Sequence, residues 1–234
     1  MIKRLFAFIL LIFTSVMFYT IFSNTVQSTE LKGVAKQYAA RGADELGAQN
    51  LVTAIVVTYR GLDTLGEVAV LFLAATGVAL LLRRRKEDEV LPLSEDKPKR
   101  QSSELLRTGA NLLAPIMVMF GVYIFINGHL SPGGGFQGGA VIASAVLLLF
   151  LSDINYKINH TVFGLIESSS GVLYVVTGIL GIFLAGGFLD NRILPLGELG
   201  SILSAGAIPV IYTLIGLKVG TELAGIIDNM RREN

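Results

Sequence analysis

The chain has 234 residues, of which 52% are hydrophobic and only 16% are charged, and its mean hydropathy is +0.64. Soluble domains carry about 25% charged residues, and here the deficit falls in a few long apolar runs, which predicts an integral membrane protein. A net charge of +1 gives no field that would attract nucleic acid. The absence of cysteine excludes disulfides and thiolate metal sites within the chain. Its two histidines lie far apart, so we expect no metal site and no cofactor.

Six apolar runs are long enough, or nearly so, to cross a membrane as helices. The first follows Lys3 and Arg4, and a cleaved signal peptide is its alternative, although no small-residue cleavage site follows. The fourth run is short and becomes longer if part of the preceding glycine-rich loop is helical. The predicted spans are 5–22, 64–82, 108–127, 138–151, 171–189 and 200–223. The predicted fold class is therefore an all-α integral membrane protein with about six transmembrane helices.

The distribution of lysine and arginine predicts the topology of these spans. With both termini inside, most basic residues fall on the inner side, as the positive-inside rule requires. Arg83-Arg84-Arg85-Lys86 belongs to that side, where lipid headgroup contact is its ordinary role. We predict three parts: a two-span module at 1–85, a charged cytoplasmic linker at 86–107 and a four-span module at 108–234.

The segment 46–59, LGAQNLVTAIVVTY, is apolar but too short to span a membrane as a helix. A helix in the membrane interface, or one packed on a neighbouring subunit, is the favoured interpretation. Its β-branched residues leave a strand as the alternative.

The segment 128–139, GHLSPGGGFQGG, combines clustered glycines with a proline and a histidine. Its glycines also spell G-x-G-x-x-G, but a dinucleotide site needs a preceding strand in a soluble βαβ unit, whereas a predicted transmembrane helix precedes this loop. Small residues let neighbouring helices approach closely, so a packing turn is the ordinary interpretation. The sharper hypothesis places His129 at the mouth of an ion or proton path. The predicted packing residues are Gly128, Pro132, Gly133, Gly134, Gly135, Phe136, Gly138 and Gly139.

Asp63 and Glu67 lie four residues apart at the start of the second span, so they share a helix face. Stabilisation of the helix N-terminus is the ordinary role for both acids. Cation ligation or proton relay is the alternative, and Glu67, one turn inside the apolar run, is the stronger candidate for it. Arg60 can pair with Asp63, an interaction worth at most about 1 kcal/mol at a surface.

Lys218 and Glu222 also lie four residues apart, near the end of the last span. An exposed pair with a snorkelling lysine is one interpretation, and a buried proton-relay pair is the other. Gly216 and Gly220 frame the lysine as G-x-x-x-G, which predicts close contact with another helix. Pro209 is expected to kink this span.

Three further predictions concern polar or small residues elsewhere in the spans. The fifth span carries glycines that predict a smooth face for a helix contact, at 178, 181, 186 and 187. Asn111 is a candidate for a hydrogen bond between helices. His160 is expected to be a solvated residue of a short loop.

Two stretches carry a family resemblance. NGHLSPGGGFQGGA at 127–140, followed by an apolar run, resembles the signature of the MnhB/MrpB family, small four-span subunits of Mrp-type multisubunit Na⁺/H⁺ antiporters. YRGLDTLGE at 59–67 is similar to a stretch near the C-terminus of the MrpA protein, although Thr58 stands where that family usually has an acid. Both modules also occur as small subunits of membrane-bound hydrogenases, where the first corresponds to the E subunit, and of sulfane-sulfur reductases. This chain resembles their fusion, with the first module at about 1–85 and the second at about 105–234.

The resemblance implies an accessory subunit of a Mrp-type Na⁺/H⁺ antiporter module in an energy-converting respiratory complex. It would support assembly and cation/proton translocation. The large ion-pumping part of MrpA is missing, so we do not expect a complete antiporter. The implied partners are other Mrp-type subunits, hydrogenase-like or complex-I-like subunits, lipid, Na⁺ and H⁺, in the plasma membrane of a prokaryote. We expect no enzyme, because no catalytic constellation is visible. A subunit of a stand-alone Mrp antiporter and a purely structural scaffold are the alternatives.

Overall fold

The computed structural model describes residues 2–24, 31–88, 102–153 and 155–233. Regular structure within these ranges is helical throughout, and no strand occurs in them. Six of the described helices are long and apolar enough to cross a membrane. The predicted all-α membrane class is thereby confirmed, whereas the orientation of the termini stays a prediction. Contacts divide the chain into two units, Met1–Gln37 and Tyr38–Asn234.

The first unit contains helix α1, Ile2–Asn24, whose mean hydropathy is 2.4 over Arg4–Ser23. Its described side chains are all exposed, as expected for a helix surrounded by lipid or by other proteins. Helix α2, Gly33–Leu46, begins in this unit and ends in the second.

Within the segment 46–59, residues 51–59 are helical and none forms a strand, so the strand alternative is wrong. The Asn50 side chain accepts hydrogen bonds from the amides of Val52 and Thr53, which starts the short helix α3, Leu51–Thr53. The chain continues without a break into a π-helical turn, Ala54–Tyr59. This segment packs against its own chain, because Thr53 donates a hydrogen bond to the Gly128 carbonyl across 2.6 Å.

Five membrane-spanning helices form the rest of the second unit. They are α4, Gly61–Asp88; α5, Glu104–Ile126; α6, Gly135–Ser152; α7, His160–Leu184; and α8, Ile208–Glu233. Helix α8 contacts each of the other four, and α5 packs along α6. The largest apolar core forms around α8, with Ile211, Ile215 and Val219 almost completely buried. Residues of α8 are therefore screened from lipid by the helices around them.

The structure corrects the limits of the last two spans. Residues 200–207 are not helical, although the sequence placed them in the sixth span. Pro209 is the second residue of α8, where its missing amide costs no hydrogen bond, so the predicted kink is wrong. Helix α7 begins at His160 because the Asn159 side chain caps it, so His160 is not a loop residue.

Two glycines of α7 pack on the turn that follows this helix and not on another helix. A β-carbon at Gly178 would overlap the Phe188 ring, and one at Gly181 would lie 2.5 Å from the Gly187 carbonyl oxygen. The predicted helix contact is therefore replaced by a folded-back turn. Helix α5 continues through Pro115.

Candidate functional site

The glycine-rich turn joins α5 to α6 and lies against α8. Gly138 and Gly139 belong to the first turns of α6, so the fourth span is longer than its apolar run. A β-carbon at Gly138 would lie 2.5 Å from the Gly121 carbonyl oxygen of α5, and one at Gly139 would lie 2.8 Å from the Gly216 carbonyl oxygen of α8. Only glycine permits this approach of three backbones.

The other residues of the turn divide between buried and exposed positions. Gly128, Gly134 and Gly135 are buried, and Gly128 lies against the Tyr212 ring. Gly133 is half-buried, Phe136 packs against the main core, and Pro132 is exposed. The side-chain amide of Asn50 donates hydrogen bonds to the backbone carbonyls of Gly128 and Ser131, each across 2.9 Å. The turn is thus fixed from one side by α3 and from the other by α8.

His129 is fully buried inside this arrangement and does not lie at an open mouth. Its Nε2 atom lies 3.3 Å from the Ser201 carbonyl oxygen. The backbone carbonyl of His129 accepts a hydrogen bond from the backbone amide of Asn50 across 3.0 Å. Burial lowers the pKa of the imidazole below its ordinary value, more strongly than its backbone hydrogen bonds raise it. The side chain thus joins the turn to the loop before α8.

Asp63 and Glu67 lie on the exposed side of α4 near its start. Arg60 forms the expected ion pair with Asp63, with both side chains more than half exposed. Both carboxylates are exposed at the surface of the described helices.

Lys218 and Glu222 form a buried ion pair on α8. The Lys218 Nζ donates to Glu222 Oε1 across 2.6 Å, and the two side chains are 11% and 1% exposed. The exposed-pair interpretation is therefore wrong, and the pair is buried. Phe72 of α4 places its ring 5.1 Å from the ammonium, which adds a cation–π contact.

Glu167 of α7 is the third member of this cluster. Its Oε1 lies 4.0 Å from the Lys218 Nζ, and its side chain is 31% exposed. Gly171, one turn further along α7, lets the lysine stem pass close to the helix backbone. Sequence reasoning missed Glu167 because the fifth span was placed from residue 171 onward. The capping residue Asn159 was the signal that the helix starts earlier.

A cavity of about 180 Å³ adjoins the charged cluster between α4, α7 and α8. Glu167 and Glu222 both line it, together with Thr76 of α4 and Asn229 of α8. Within the described part of the chain, the Oε2 atom of Glu222 is buried and has no hydrogen-bond partner. The cavity therefore adjoins the buried carboxylate, although the Oε2 atom itself is inaccessible from it.

A second charged cluster ties the ends of three spans together. Asp228 of α8 is fully buried and lies 3.2 Å from His160 Nε2 and 3.1 Å from Arg231 Nη2. The Arg231 guanidinium stacks 4.1 Å from the Phe150 ring of α6. The sequence pattern did not point to this cluster, because its members come from different spans.

A wider cavity of about 490 Å³ lies at the other end of the helices. Glu45, Tyr59, Asp190 and Arg192 line it. The Tyr59 hydroxyl donates to Glu45 across 2.5 Å, and burial together with this carboxylate raises the tyrosine pKa to about 12. Arg192 pairs with Asp190 and holds the pKa of that carboxyl below its ordinary value.

Family comparisons match both halves of the chain. Residues 105–225 match a domain related to the MnhB subunit of Na⁺/H⁺ antiporters, and residues 2–98 match the MbhE family, the E subunit of MBH. An uncharacterized protein of Methanocaldococcus jannaschii is 31% identical over 198 residues, which cover 76% of this chain and 74% of the relative.

Two solved structures are similar over almost the whole chain. A chain of the membrane-bound sulfane sulfur reductase (MBS), an archaeal respiratory membrane complex, superposes with a TM-score of 0.81 and 44% identity, and the match covers 98% of both chains. A chain of the Mrp complex from Dietzia sp. DQ12-45-1b gives a TM-score of 0.78 at 24% identity, over 97% of this chain and 26% of that one. The latter shows a shared fold alone.

Proposed function

The chain belongs to the MnhB-related antiporter domain family, and on that premise we propose that it is an accessory subunit of a Mrp-type Na⁺/H⁺ antiporter module. The module is part of an energy-converting respiratory membrane complex. The observation that carries this setting is the match over 98% of both chains to a chain of the MBS complex. A multi-pass protein of the prokaryotic plasma membrane, assembled with other antiporter and respiratory subunits, is the form in which it works.

The exposed surface supports a place among other membrane subunits. Large apolar side chains are exposed along α5 and α7, for example Met119 and Phe183 at 72% and 78%. Such faces require lipid or partner helices. Relatives are antiporter subunits, so the chain is a transport subunit, and we assign no covalent chemistry to it.

Within the complex, we assign proton transfer to the Lys218–Glu222 pair. Ionisable residues inside a membrane are costly and are kept where they carry ions or protons. Here the Lys218 ammonium donates a hydrogen bond to the Glu222 carboxylate across 2.6 Å, beside a polar cavity. The pair can pass a proton between the cavity and groups on partner subunits without any large movement of the helices.

A structural scaffold is the second candidate function, and the backbone contacts at Gly138 and Gly139 favour it. A scaffold predicts that Glu67→Gln and His129→Ala leave transport intact, whereas enlarged residues in the glycine turn block assembly. Loss of transport in a fully assembled Glu67→Gln complex rules out a pure scaffold.

Two measurements test the proposed function. The first is purification of the chain from its native membrane with identification of the chains that accompany it. Partners that resemble hydrogenase or sulfane sulfur reductase subunits support the respiratory setting, and antiporter subunits alone indicate a stand-alone antiporter. The second is Na⁺-coupled proton transport in vesicles from cells that lack the chain. Normal transport by a complex assembled without it contradicts the proposal.

A further inference from the structure

We propose that the exposed face of α5 around Asn111 is the docking surface for one membrane-spanning helix of a partner subunit, which forms hydrogen bonds with Asn111. The proposal rests on the proposed function, because it requires assembly with other membrane subunits, and it locates one of the contacts. Polar groups of α5 that are left without partners inside the span point to this surface.

Asn111 lies deep inside the span. Helix α5 runs from Glu104 to Ile126, so its midpoint falls at Pro115. Asn111 precedes that midpoint by four residues, which is about 6 Å along the helix axis. The hydrocarbon core of a bilayer extends about 15 Å to each side of its centre. The exposed Asn111 side chain therefore lies at a depth where water does not supply hydrogen bonds.

Both the side chain and the backbone of Asn111 need a partner. The side-chain amide forms no hydrogen bond with any residue that the structure describes. The backbone carbonyl lacks its usual donor, because Pro115 stands four residues later and has no amide hydrogen. The neighbours of this proline, Ala114 and Ile116, carry no polar side chain that could replace the missing amide. Donor and acceptor groups therefore reach the surface of α5 at the same height.

Exposed hydroxyl groups on other spans are in a different situation. Ser144 of α6 donates to the Ala140 carbonyl across 2.8 Å, and Thr177 of α7 donates to the Leu173 carbonyl across 2.8 Å. Each hydroxyl is thus satisfied by its own helix and can face lipid. Asn111 has no such hydrogen bond, and lipid acyl chains offer none, so its exposure in hydrocarbon is costly. A protein partner removes this cost.

The side chains around Asn111 define the kind of helix that fits. The same face of α5 also contains Thr108, Leu112, Pro115 and Met119, all of them exposed. Leu112 and Met119 are 66% and 72% exposed, so α5 of a second copy would bring large side chains against large ones. Large side chains hold two helix backbones apart, whereas a hydrogen bond to the Asn111 carbonyl needs close approach. The fitting partner is a helix of another subunit with small residues and a hydroxyl or amide side chain at this height.

Site-specific photo-crosslinking in membranes that contain the assembled complex tests the position of the surface. A diazirine amino acid replaces Leu112 in one variant and Leu113 in the other, and mass spectrometry identifies the crosslinked segment. Leu113 is the matched control, because it lies at nearly the same depth and is 50% exposed on another face of α5. We expect position 112 to crosslink a membrane-spanning segment of a different subunit, and position 113 not to crosslink that segment. Crosslinks from position 112 to lipid alone, to a second copy of this chain, or to the same segment as position 113 overturn the proposal.

Two substitutions test the hydrogen bonds themselves. Asn111→Leu removes the side-chain amide, and Pro115→Ala restores a backbone amide that satisfies the Asn111 carbonyl within α5. The strength of hydrogen bonds between membrane helices corresponds to about a threefold to thirtyfold change in an association constant. We expect a loss of that size in both variants, measured as the ratio of bound to released chain at equilibrium in detergent. Thr177→Val is the matched control and should show no loss, because its hydroxyl bonds within its own helix.

Unfolding of the isolated chain separates docking from internal stability. Asn111→Leu should leave this stability unchanged, since the side chain has no partner among the described residues. Equal destabilisation of the isolated chain and of the complex would overturn the proposal, and so would unchanged association of both α5 variants. Either result would leave the co-purification of the wild-type chain with its partners intact. Failure of the proposed function would appear instead as normal vesicle transport without the chain.

Discussion

The contact between α5 and α6 at Gly138 allows a quantitative prediction. A β-carbon there would lie 2.5 Å from the Gly121 carbonyl oxygen and 2.9 Å from the Phe125 ring. The ring can turn, but the carbonyl belongs to the backbone of α5, so Gly138→Ala must separate the two helices. Overpacking costs about 1–3 kcal/mol, and the upper part of that range applies because backbone must move. Alanine returns about 1 kcal/mol through its higher helix propensity.

The net expectation for Gly138→Ala is a loss of about 2 kcal/mol in the free energy of unfolding, close to thirtyfold in the folded-to-unfolded ratio. Gly109→Ala on α5 is the matched control, because its β-carbon meets no atom within 4 Å, and it should be neutral or slightly stabilising. Equilibrium unfolding of the purified protein in mild detergent measures both. Equal stability of the two variants would refute the backbone-contact argument.

Three further stability predictions follow from buried polar groups. Lys218→Met leaves the Glu222 carboxylate unpaired and should lower the free energy of unfolding by about 3–5 kcal/mol. The double variant Lys218→Met with Glu222→Leu should recover most of this stability, and a double variant as unstable as the single one would contradict the prediction. Burial lowers the pKa of His129, so the unfolded chain takes up the proton first. Stability should therefore be complete above about pH 6.5 and fall on acidification by at most about 1.4 kcal/mol per pH unit; a His129→Gln variant with the same pH dependence would show that another group is responsible. The Asn191 side-chain amide donates hydrogen bonds to the carbonyls of Leu46 and Ala205 across 2.8 and 2.9 Å. Asn191→Leu should therefore lower the free energy of unfolding by about 2 kcal/mol or more, because both buried carbonyls lose their donor. Thermal unfolding measures this change, and little change would mean that water replaces both hydrogen bonds.

The sequence predicted the number and order of the spans because lipid-facing helices must be apolar over their whole length. The ends of the spans were less accurate. Residues 200–207 contain no charged residue and precede the apolar run of the last span without a break. Ala205 nevertheless takes a φ of 65°, and its amide donates a hydrogen bond to the Leu196 carbonyl, so this stretch forms a loop. Hydropathy does not distinguish an apolar loop that packs on protein from an apolar helix in lipid.

The candidate site was predicted in part. The spacing of Lys218 and Glu222 placed them on one helix face, but their burial depends on α4 and α7, whose positions a single sequence does not reveal. Glu167 joins the cluster across 51 positions of sequence from Lys218. For the same reason, contacts of His129 with Ser201 and of Asp228 with His160 could not be derived from local patterns.

The direct test of a role in ion translocation is transport by a complex that carries Glu222→Gln. This substitution keeps the size of the side chain and its hydrogen bond to Lys218 but removes the ability to exchange a proton. Glu104→Gln, at the exposed start of α5, is the matched control. In vesicles with equal amounts of assembled complex, we expect Na⁺-coupled proton transport to fall at least about tenfold in Glu222→Gln, as for loss of a proton-transfer group, and to stay unchanged in Glu104→Gln. Wild-type transport by a fully assembled Glu222→Gln complex would contradict the account.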